Sequence, residues 1–302
     1  AGKLGGAPGL TLSRAIFGVR GNWAPTLVGW LGFVGWETVM CTTAAFALVL
    51  ALSTLGIEVG AFGTVLLVLV VVALAATIGL FGHATILWVQ KWLTVVFGAA
   101  TLIVVVFLAA TIDWATAMSL PAAPLAAVIS GVGFIAAGTG IGWLAAGPDY
   151  ARYLNPSVSD RTLTLVTTVA AGIPLVLLIG LGSLMSVTDS ALADASDPVA
   201  AIGAVLPGWV LVPYLITAAM GLIAAADVSM YSSGLSLLAG GIRLKRTHAV
   251  IIDAVLVTLA SLYITVIAQD FFGPFSTFLT LLALPLSAWA GVWNGPAPTL
   301  RL

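Results

Sequence analysis

The sequence GVGFIAAGTGIGWLAAGPDYARYLNP, residues 131–156, is an apolar segment with too many glycines for one regular helix. Five of its glycines fall within twelve residues, namely Gly131, Gly133, Gly138, Gly140 and Gly142. Each costs about 1 kcal/mol relative to alanine in a helix interior, so we expect the helix to break here. In a membrane, broken backbone is tolerated where it lines a cavity walled by protein, and such half-helices commonly hold a ligand. The alternative is that the glycines allow close packing of helices.

The composition is that of a protein embedded in a lipid bilayer. The chain has 302 residues, of which 61% are hydrophobic and 7% charged, and its mean hydropathy is +1.18. These values predict an integral membrane protein. The net charge of −1 and the lack of a long basic run give no reason to expect a nucleic-acid partner. Cys41 is the only cysteine, so we expect no disulfide and no cysteine metal cluster.

Eight apolar spans follow a polar segment at residues 1–22, and each is close to or above the ~20 residues that cross a bilayer. We place them at residues 24–52, 61–81, 88–112, 125–147, 163–187, 207–239, 249–268 and 271–293. The two histidines, His83 and His248, fall in the short loops between spans. The predicted fold class is therefore all-α, a polytopic membrane protein with eight transmembrane helices.

Charged residues in the loops predict the orientation. All ten Lys and Arg residues fall in segments on the N-terminal side of the membrane: Lys3, Arg14, Arg20, Lys91, Arg152, Arg161, Arg243, Lys245, Arg246 and Arg301. The opposite loops carry only acids: Glu58, Asp113, Asp189, Asp194, Asp197 and Asp270. Because cationic residues collect on the cytoplasmic side, we expect a cytoplasmic N-terminal segment in the plasma or inner membrane. The even number of spans returns the C-terminus to the cytoplasm.

Three acids remain in or near spans: Glu37, Asp227 and Asp253. A carboxylate near the middle of the bilayer is costly unless it is paired or hydrated, so each is a candidate functional residue. Asp253 is close in sequence to Arg246, and we expect a structural ion pair between them. Neither the first nor the sixth span carries a cation, so we expect at least one of Glu37 and Asp227 to hold its proton.

The first span places Glu37 on one face with aromatic rings. Trp23, Trp30 and Glu37 recur every seven residues, and Phe33 falls on the same face. This pattern is compatible with core packing and with a ligand site. Asp227 lies among small residues on the sixth span, where an interhelical hydrogen-bond patch and ligand contact are both open.

Three motifs resemble one transporter family. DYARYLNP at residues 149–156, preceded by Gly142 and Trp143, resembles the purine–cytosine permeases of the nucleobase:cation symporter-1 family. SRAIFG at residues 13–18 is similar to the segment that leads into that family's third helix, and YSSGLSL at residues 231–237 is similar to part of its eighth helix. The resemblance covers nearly the whole chain.

The resemblance implies a LeuT-type fold, a five-plus-five inverted repeat whose first and sixth helices are broken around a midplane site. The eight spans then correspond to family helices three to ten, within a single transmembrane transporter domain over residues 1–302. We expect the chain to be a fragment that lacks the first two helices and the C-terminal end. Transport is assigned to the full-length protein, and a non-transporting membrane bundle is an alternative for the truncated chain.

The resemblance also implies a set of substrate-binding residues. Phe33 and Trp143 match the aromatic residues that stack on the base, and Gly138 and Gly140 lie in the expected break. Glu37 matches an amide that hydrogen-bonds the base on the third helix. Asp227 lies near the matching amide of the eighth helix, so both acids are departures from the family pattern.

Coupling by protons is favoured over coupling by sodium. The family's sodium site uses hydroxyl groups on the eighth helix, where this chain has Gly221 and Leu222. Glu37 and Asp227 are therefore the candidate coupling residues, and no metal is expected.

The predicted function is that of a proton-coupled symporter that imports a nucleobase or related flat heterocycle, such as cytosine or a purine. Two rings and a few polar groups suffice to bind such a ligand, and a carboxylate suits its N–H and NH₂ donors. The alternative is a sodium-coupled transporter of a hydantoin, allantoin or a thiamine precursor. The chain has neither an HExxH motif nor a serine–histidine pair within a span, so no enzyme activity or cofactor is predicted. The expected partners are the base and the lipid bilayer, and the protein is expected to be monomeric.

Overall fold

The computed structural model describes residues 2–192, 195, 197–268 and 272–294. Eight helices in this part of the chain are long and apolar enough to cross a bilayer. They are Trp23–Thr54, Ala61–Phe81, His83–Ala110, Leu125–Ala151, Asp160–Thr188, Gly208–Ala239, Arg246–Ala268 and Gly273–Trp293. No strand occurs among the described residues. The predicted all-α polytopic membrane fold is therefore confirmed.

The helical elements are labelled in chain order. They are α1 (Gly2–Gly5), α2 (Gly9–Leu12), α3 (Arg14–Gly21), α4 (Trp23–Thr54), α5 (Ala61–Phe81), α6 (His83–Ala110), α7 (Trp114–Ser119), α8 (Leu125–Ala136), α9 (Trp143–Ala151), α10 (Asp160–Thr188), α11 (Pro198–Ala204), α12 (Gly208–Ala239), α13 (Arg246–Leu262) and α14 (Phe272–Asn294). A π-helical turn, Ala137–Ile141, joins α8 to α9, and a second one, Tyr263–Ala268, extends α13.

The largest boundary error concerns the start of the third span, which we predicted at residue 88. The helix begins at His83, because Gly82 alone makes the turn after α5 with a φ of 92°, a conformation that glycine adopts readily. Lys91, which the predicted span already contained, is exposed on the surface of α6. The prediction that both histidines lie in loops was also wrong. His83 is the first residue of α6, and His248 lies in the first turn of α13.

The cytoplasmic start of the chain stays a prediction. Three charged residues of the orientation argument, Asp194, Asp270 and Arg301, lie outside the described residues. The remaining acids of the opposite loops include Asp113, whose side chain caps α7 by accepting a hydrogen bond from the Thr116 N–H. Hydrogen bonds from Thr116 hold the pKa of Asp113 below its usual range.

The prediction that the helix breaks in the glycine-rich segment was wrong, because the helix continues through a widened, π-helical turn. Ala137 and Gly142, at the two ends of the turn, keep right-handed helical backbone angles. A Cβ atom added at Gly138 or Gly140 would meet nothing within 4 Å, whereas one at Gly142 would lie 3.1 Å from Trp36 Nε1. Close packing therefore explains only Gly142. π-helical turns are rare and are frequent at functional sites.

The core of the bundle lies where α12 packs along α4, with α5 and α13 against both. Small side chains line this contact, including Ala44 and Ala45 of α4 and Ala219 and Ala226 of α12. In a bilayer such residues let helix backbones approach closely, which provides van der Waals contact where no hydrophobic effect operates. By contrast, α8 buries no residue and α10 buries only Met185, so their apolar surfaces face outward.

Candidate functional site

A cavity of about 410 Å³ lies between α6, α9 and α12. Its wall includes Gln90 and Phe97 of α6, Trp143 of α9, and Gly221 and Ala225 of α12. Trp143 stands at the start of α9, directly after the π-helical turn, and 48% of its surface is exposed. The size is within the range of small-molecule sites, and the predicted stacking residue Trp143 has a free surface there.

Gln90 connects this cavity to Asp227. Its side-chain Nε2 donates to the carbonyl oxygen of Ala224 at 2.6 Å and to Asp227 Oδ1 at 3.4 Å. Asp227 is fully buried, and its Oδ2 atom has no hydrogen-bond partner among the described residues. Trp143 therefore lines the cavity, whereas Asp227 lies behind its wall and is joined to it through Gln90. The sequence analysis missed Gln90, although it is the only amide side chain of α6.

Phe33 packs away from the cavity. It is 6% exposed and belongs to a cluster with Leu10, Ala145 and Trp289, so it lies between α2, α9 and α14. The described lining of the cavity does not include Phe33. The two rings expected to sandwich a base therefore do not both line this cavity, and the stacking role of Phe33 stays a prediction.

Glu37 lies on the opposite side of α12 from Asp227. Its carboxylate is fully buried and accepts a hydrogen bond from Ser229 Oγ at 3.0 Å. Asp227 and Ser229 are two residues apart, and side chains at that spacing point in directions about 200° apart around a helix. Asp227 consequently faces α6 while Ser229 faces α4. The structure does not bring the two predicted coupling acids together.

The expected ion pair between Asp253 and Arg246 was wrong. Asp253 Oδ1 accepts a hydrogen bond from the Trp30 indole Nε1 at 2.7 Å. Arg246 instead donates to the carbonyl oxygens of Gly79 and Leu80, each at 2.7 Å. These two carbonyls belong to the last turn of α5, where helical carbonyl groups lack partners within the helix and attract a cation. The guanidinium group therefore provides hydrogen bonds to the free carbonyl oxygens at the end of α5, and Asp253 is bonded to Trp30 instead.

The DYARYLNP motif contacts the YSSGLSL motif. Arg152 Nη2 donates to the hydroxyl groups of Tyr153 at 2.6 Å and Tyr231 at 2.8 Å. The hydroxyl of Tyr150 donates to the carbonyl oxygen of Val228 at 2.7 Å. His83 stacks on Tyr153 with ring centroids 4.0 Å apart. These contacts join α9 to α12 and to the start of α6.

The SRAIFG motif lies at the same end of the bundle. Asp149 accepts a hydrogen bond from the Gly9 N–H at 2.8 Å, and Arg14 donates to the carbonyl oxygen of Ala239 at 2.5 Å. Ser13 and Asn22 hydrogen-bond each other, and both also donate to the carbonyl oxygen of Leu10. The three motifs thus close one end of the bundle, on the side predicted to be cytoplasmic.

Comparison with known proteins agrees with these motifs. A family model described as a permease for cytosine/purines, uracil, thiamine, allantoin matches residues 1–294. No individual curated protein matches the chain. The match indicates a transporter and not an enzyme, embedded in a membrane by several helices. The chain therefore belongs to the family of permeases for cytosine/purines, uracil, thiamine and allantoin.

Proposed function

We propose that this chain forms the substrate-binding core of a secondary transporter that imports a nucleobase, such as cytosine or a purine, together with a proton. The observation that supports the proposal is a cavity lined by Trp143 and Gln90, with Asp227 bonded to Gln90 behind the cavity wall. The five-plus-five arrangement and the assignment to family helices three to ten stay predictions, as do the monomeric state and the lack of a cofactor.

The three side chains provide what a flat heterocycle needs. The indole ring of Trp143 offers a face for stacking, and the amide of Gln90 both donates and accepts hydrogen bonds. Asp227 lies behind the cavity wall and accepts a hydrogen bond from Gln90, so it orients the amide that lines the cavity. Cytosine and the purines present donors beside acceptors on one edge, which suits an amide such as that of Gln90.

A carboxyl group that gains and loses a proton is the simplest coupling device in this chain. Neither α4 nor α12 contains Lys, Arg or His, so no cation on these helices neutralises Glu37 or Asp227. The described hydrogen-bond donors are a serine hydroxyl for Glu37 and an amide for Asp227. Gly221 of α12 offers no hydroxyl group to sodium, and the hydroxyl groups of the cavity wall belong to Thr94 and Thr101 of α6. These features favour Glu37 and Asp227 as coupling candidates.

Uptake measurements test this function. In cells that express the full-length protein, uptake of labelled cytosine or adenine should saturate, should be competed by a small set of bases, and should increase as external pH falls from about 8 to about 6. Removal of sodium should have little effect. Uptake that requires sodium at every pH would support the second candidate, a sodium-coupled transporter of allantoin, a hydantoin or a thiamine precursor. Flux that does not saturate would indicate a channel.

A further inference from the structure

One face of α6 forms much of the cavity wall. The side chains of α6 in the described wall that carry a ring or a hydrogen-bonding group are Gln90, Thr94, Phe97 and Thr101. They are spaced four, three and four residues apart, so they lie within about 60° of one another around the helix. This face of α6 therefore presents a ring and several polar groups together to the cavity.

The two threonine hydroxyl groups on this face have no partner in the described part of the chain. Inside a helix, a threonine often donates to the carbonyl oxygen four residues earlier, as Thr38 and Thr43 of α4 do at 2.8 Å. Among the described residues, neither Thr94 nor Thr101 uses its hydroxyl in a hydrogen bond of this or any other kind. Both hydroxyl groups are therefore open to a ligand in the cavity.

Phe97 is positioned at the cavity by α12. Its ring lies against Gly221, where an added Cβ atom would be 3.8 Å from Phe97 Cδ2. Gly221 lines the same cavity. One edge of the ring thus contacts α12, and the half-buried ring keeps a surface towards the cavity.

Phe97 and Trp143 line the cavity from different helices. The two helices, α6 and α9, each pack on α12, and the two rings do not contact each other. Among the described residues of the wall, Phe97 is the only aromatic residue besides Trp143. A flat heterocycle that lies between two aromatic rings gains stacking on both of its faces. Phe97 therefore occupies the place in the wall where Phe33 was expected.

We propose that Phe97 is the second stacking ring of the base site, and that Thr94 provides a hydroxyl group to the rim of the base. The inference rests on the proposed function and identifies further residues of the same site. Thr94 is four residues from Gln90, so the hydroxyl and the amide are neighbours on α6. A hydroxyl group both donates and accepts hydrogen bonds, as the edge of a base requires.

Two stacking rings restrict the class of ligand. Stacking on both faces requires a planar ring that carries no substituent out of its plane. Cytosine and adenine meet this requirement. Allantoin, which the family description also includes, carries a ureido group on a tetrahedral ring carbon, and this group keeps one of the two aromatic rings at a distance. The site therefore takes aromatic bases in preference to allantoin.

Equilibrium binding of labelled cytosine and adenine to the purified full-length protein tests the second ring. Phe97→Ala should raise the Kd of the bound base by about 5- to 150-fold. Phe97→Tyr keeps the ring and should bind as the wild type does. Phe62→Ala is the matched control, because Phe62 of α5 is 82% exposed and lies outside the described wall. Equal Kd values for Phe97→Ala and Phe62→Ala would overturn the stacking role of Phe97.

The same assay tests the hydroxyl group. Thr94→Val keeps the shape of the side chain and should raise the Kd by about 2- to 12-fold. Thr77→Val is the control, since the hydroxyl of Thr77 donates to the carbonyl oxygen of Ala73 on the exposed surface of α5. A Kd for Thr94→Val equal to that for Thr77→Val would overturn the role of Thr94.

Competition on the wild-type protein tests the ligand class without any substitution, so it serves if Phe97→Ala does not fold. Unlabelled base should displace the labelled base, and allantoin should not. Displacement by allantoin as effective as that by the base itself would overturn the two-ring site. If Trp143→Ala weakens binding and Phe97→Ala does not, this inference is wrong and the proposed function stands. If the wild type shows no saturable binding of any base, the proposed function itself is wrong.

Discussion

At the scale of single residues, Gln90 joins the cavity wall to the buried Asp227. Its amide donates hydrogen bonds to the carbonyl oxygen of Ala224 and to Asp227 Oδ1. Asp227 Oδ2 is therefore the oxygen atom that has no partner among the described residues. Replacement by leucine keeps the size of the side chain and removes these hydrogen bonds.

We expect Gln90→Leu to weaken base binding by about 0.5–1.5 kcal/mol, which is a rise of about 2- to 12-fold in Kd. Leu93→Met changes the same wall of the cavity without removing a polar group, and it should bind the base as the wild type does. Equilibrium binding of labelled base to the purified variants measures both values. Equal affinities for Gln90→Leu and Leu93→Met would exclude a polar role for Gln90.

The sequence predicted three of the four buried acids of the described residues but not what they contact, and it missed Asp149, which is 2% exposed. Glu37, Asp227 and Asp253 stand out because apolar spans rarely contain carboxylates. Their partners depend on which helices are neighbours in space. Asp253 contacts Trp30, more than two hundred residues away in the chain, while the nearby Arg246 satisfies the end of α5. The separation of Asp227 from Ser229 around α12 is the part that helical periodicity alone could have given.

At the scale of helices, two glycines at the π-helical turn between α8 and α9 differ in how closely they are packed. Gly140 lies within the turn, and Gly142 directly follows it. Gly142 approaches Trp36, whose ring packs edge-on against Phe275 and Phe278 with centroids 5.8 Å apart in both cases. Gly140 has open space around the position of a Cβ atom. Packing requires Gly142 but not Gly140, and Gly140 is not part of the described cavity wall.

We expect Gly142→Ala to lower the thermal stability of the protein and Gly140→Ala to leave it unchanged or raise it slightly. Alanine gains about 1 kcal/mol in helix propensity at either site, but overpacking at Gly142 costs about 1–3 kcal/mol. Thermal unfolding of the purified variants compares the two. Trp36→Phe should restore stability to Gly142→Ala, and a melting temperature of Gly142→Ala equal to that of the wild type would show that the contact is not tight.

Helix positions were more predictable than helix irregularities. A bilayer requires about twenty apolar residues for each crossing, so the spans are visible in composition alone. Whether a glycine-rich segment unwinds or only widens depends on the groups available to its backbone, and residues 131–142 do not reveal this. The early start of α6 follows from the left-handed conformation of Gly82, which a hydropathy pattern does not record.

At the scale of the whole molecule, the distribution of charge predicts that both ends of the chain face the cytoplasm. Single cysteines in a Cys41→Ser background test this, because Cys41 is buried and its replacement leaves no other thiol. We expect Ser157→Cys to resist an impermeant thiol reagent applied from outside the cell, and Ala122→Cys to react with it. Both positions are exposed, so accessibility within the protein is matched. Outside labelling at residue 157 would reverse the orientation.

The central claim is that a nucleobase binds against Trp143, and direct binding to the purified full-length protein tests it. The measurement is the Kd of labelled cytosine and adenine for the wild type, for Trp143→Ala and for Trp88→Ala, an exposed tryptophan of α6 outside the described cavity wall. Loss of a base–aromatic stack is worth about 1–3 kcal/mol, so Trp143→Ala should raise the Kd of the bound base by about 5- to 150-fold. Trp88→Ala should bind as the wild type does. An unchanged Kd in Trp143→Ala, or no saturable binding of any base by the wild type, would contradict the account.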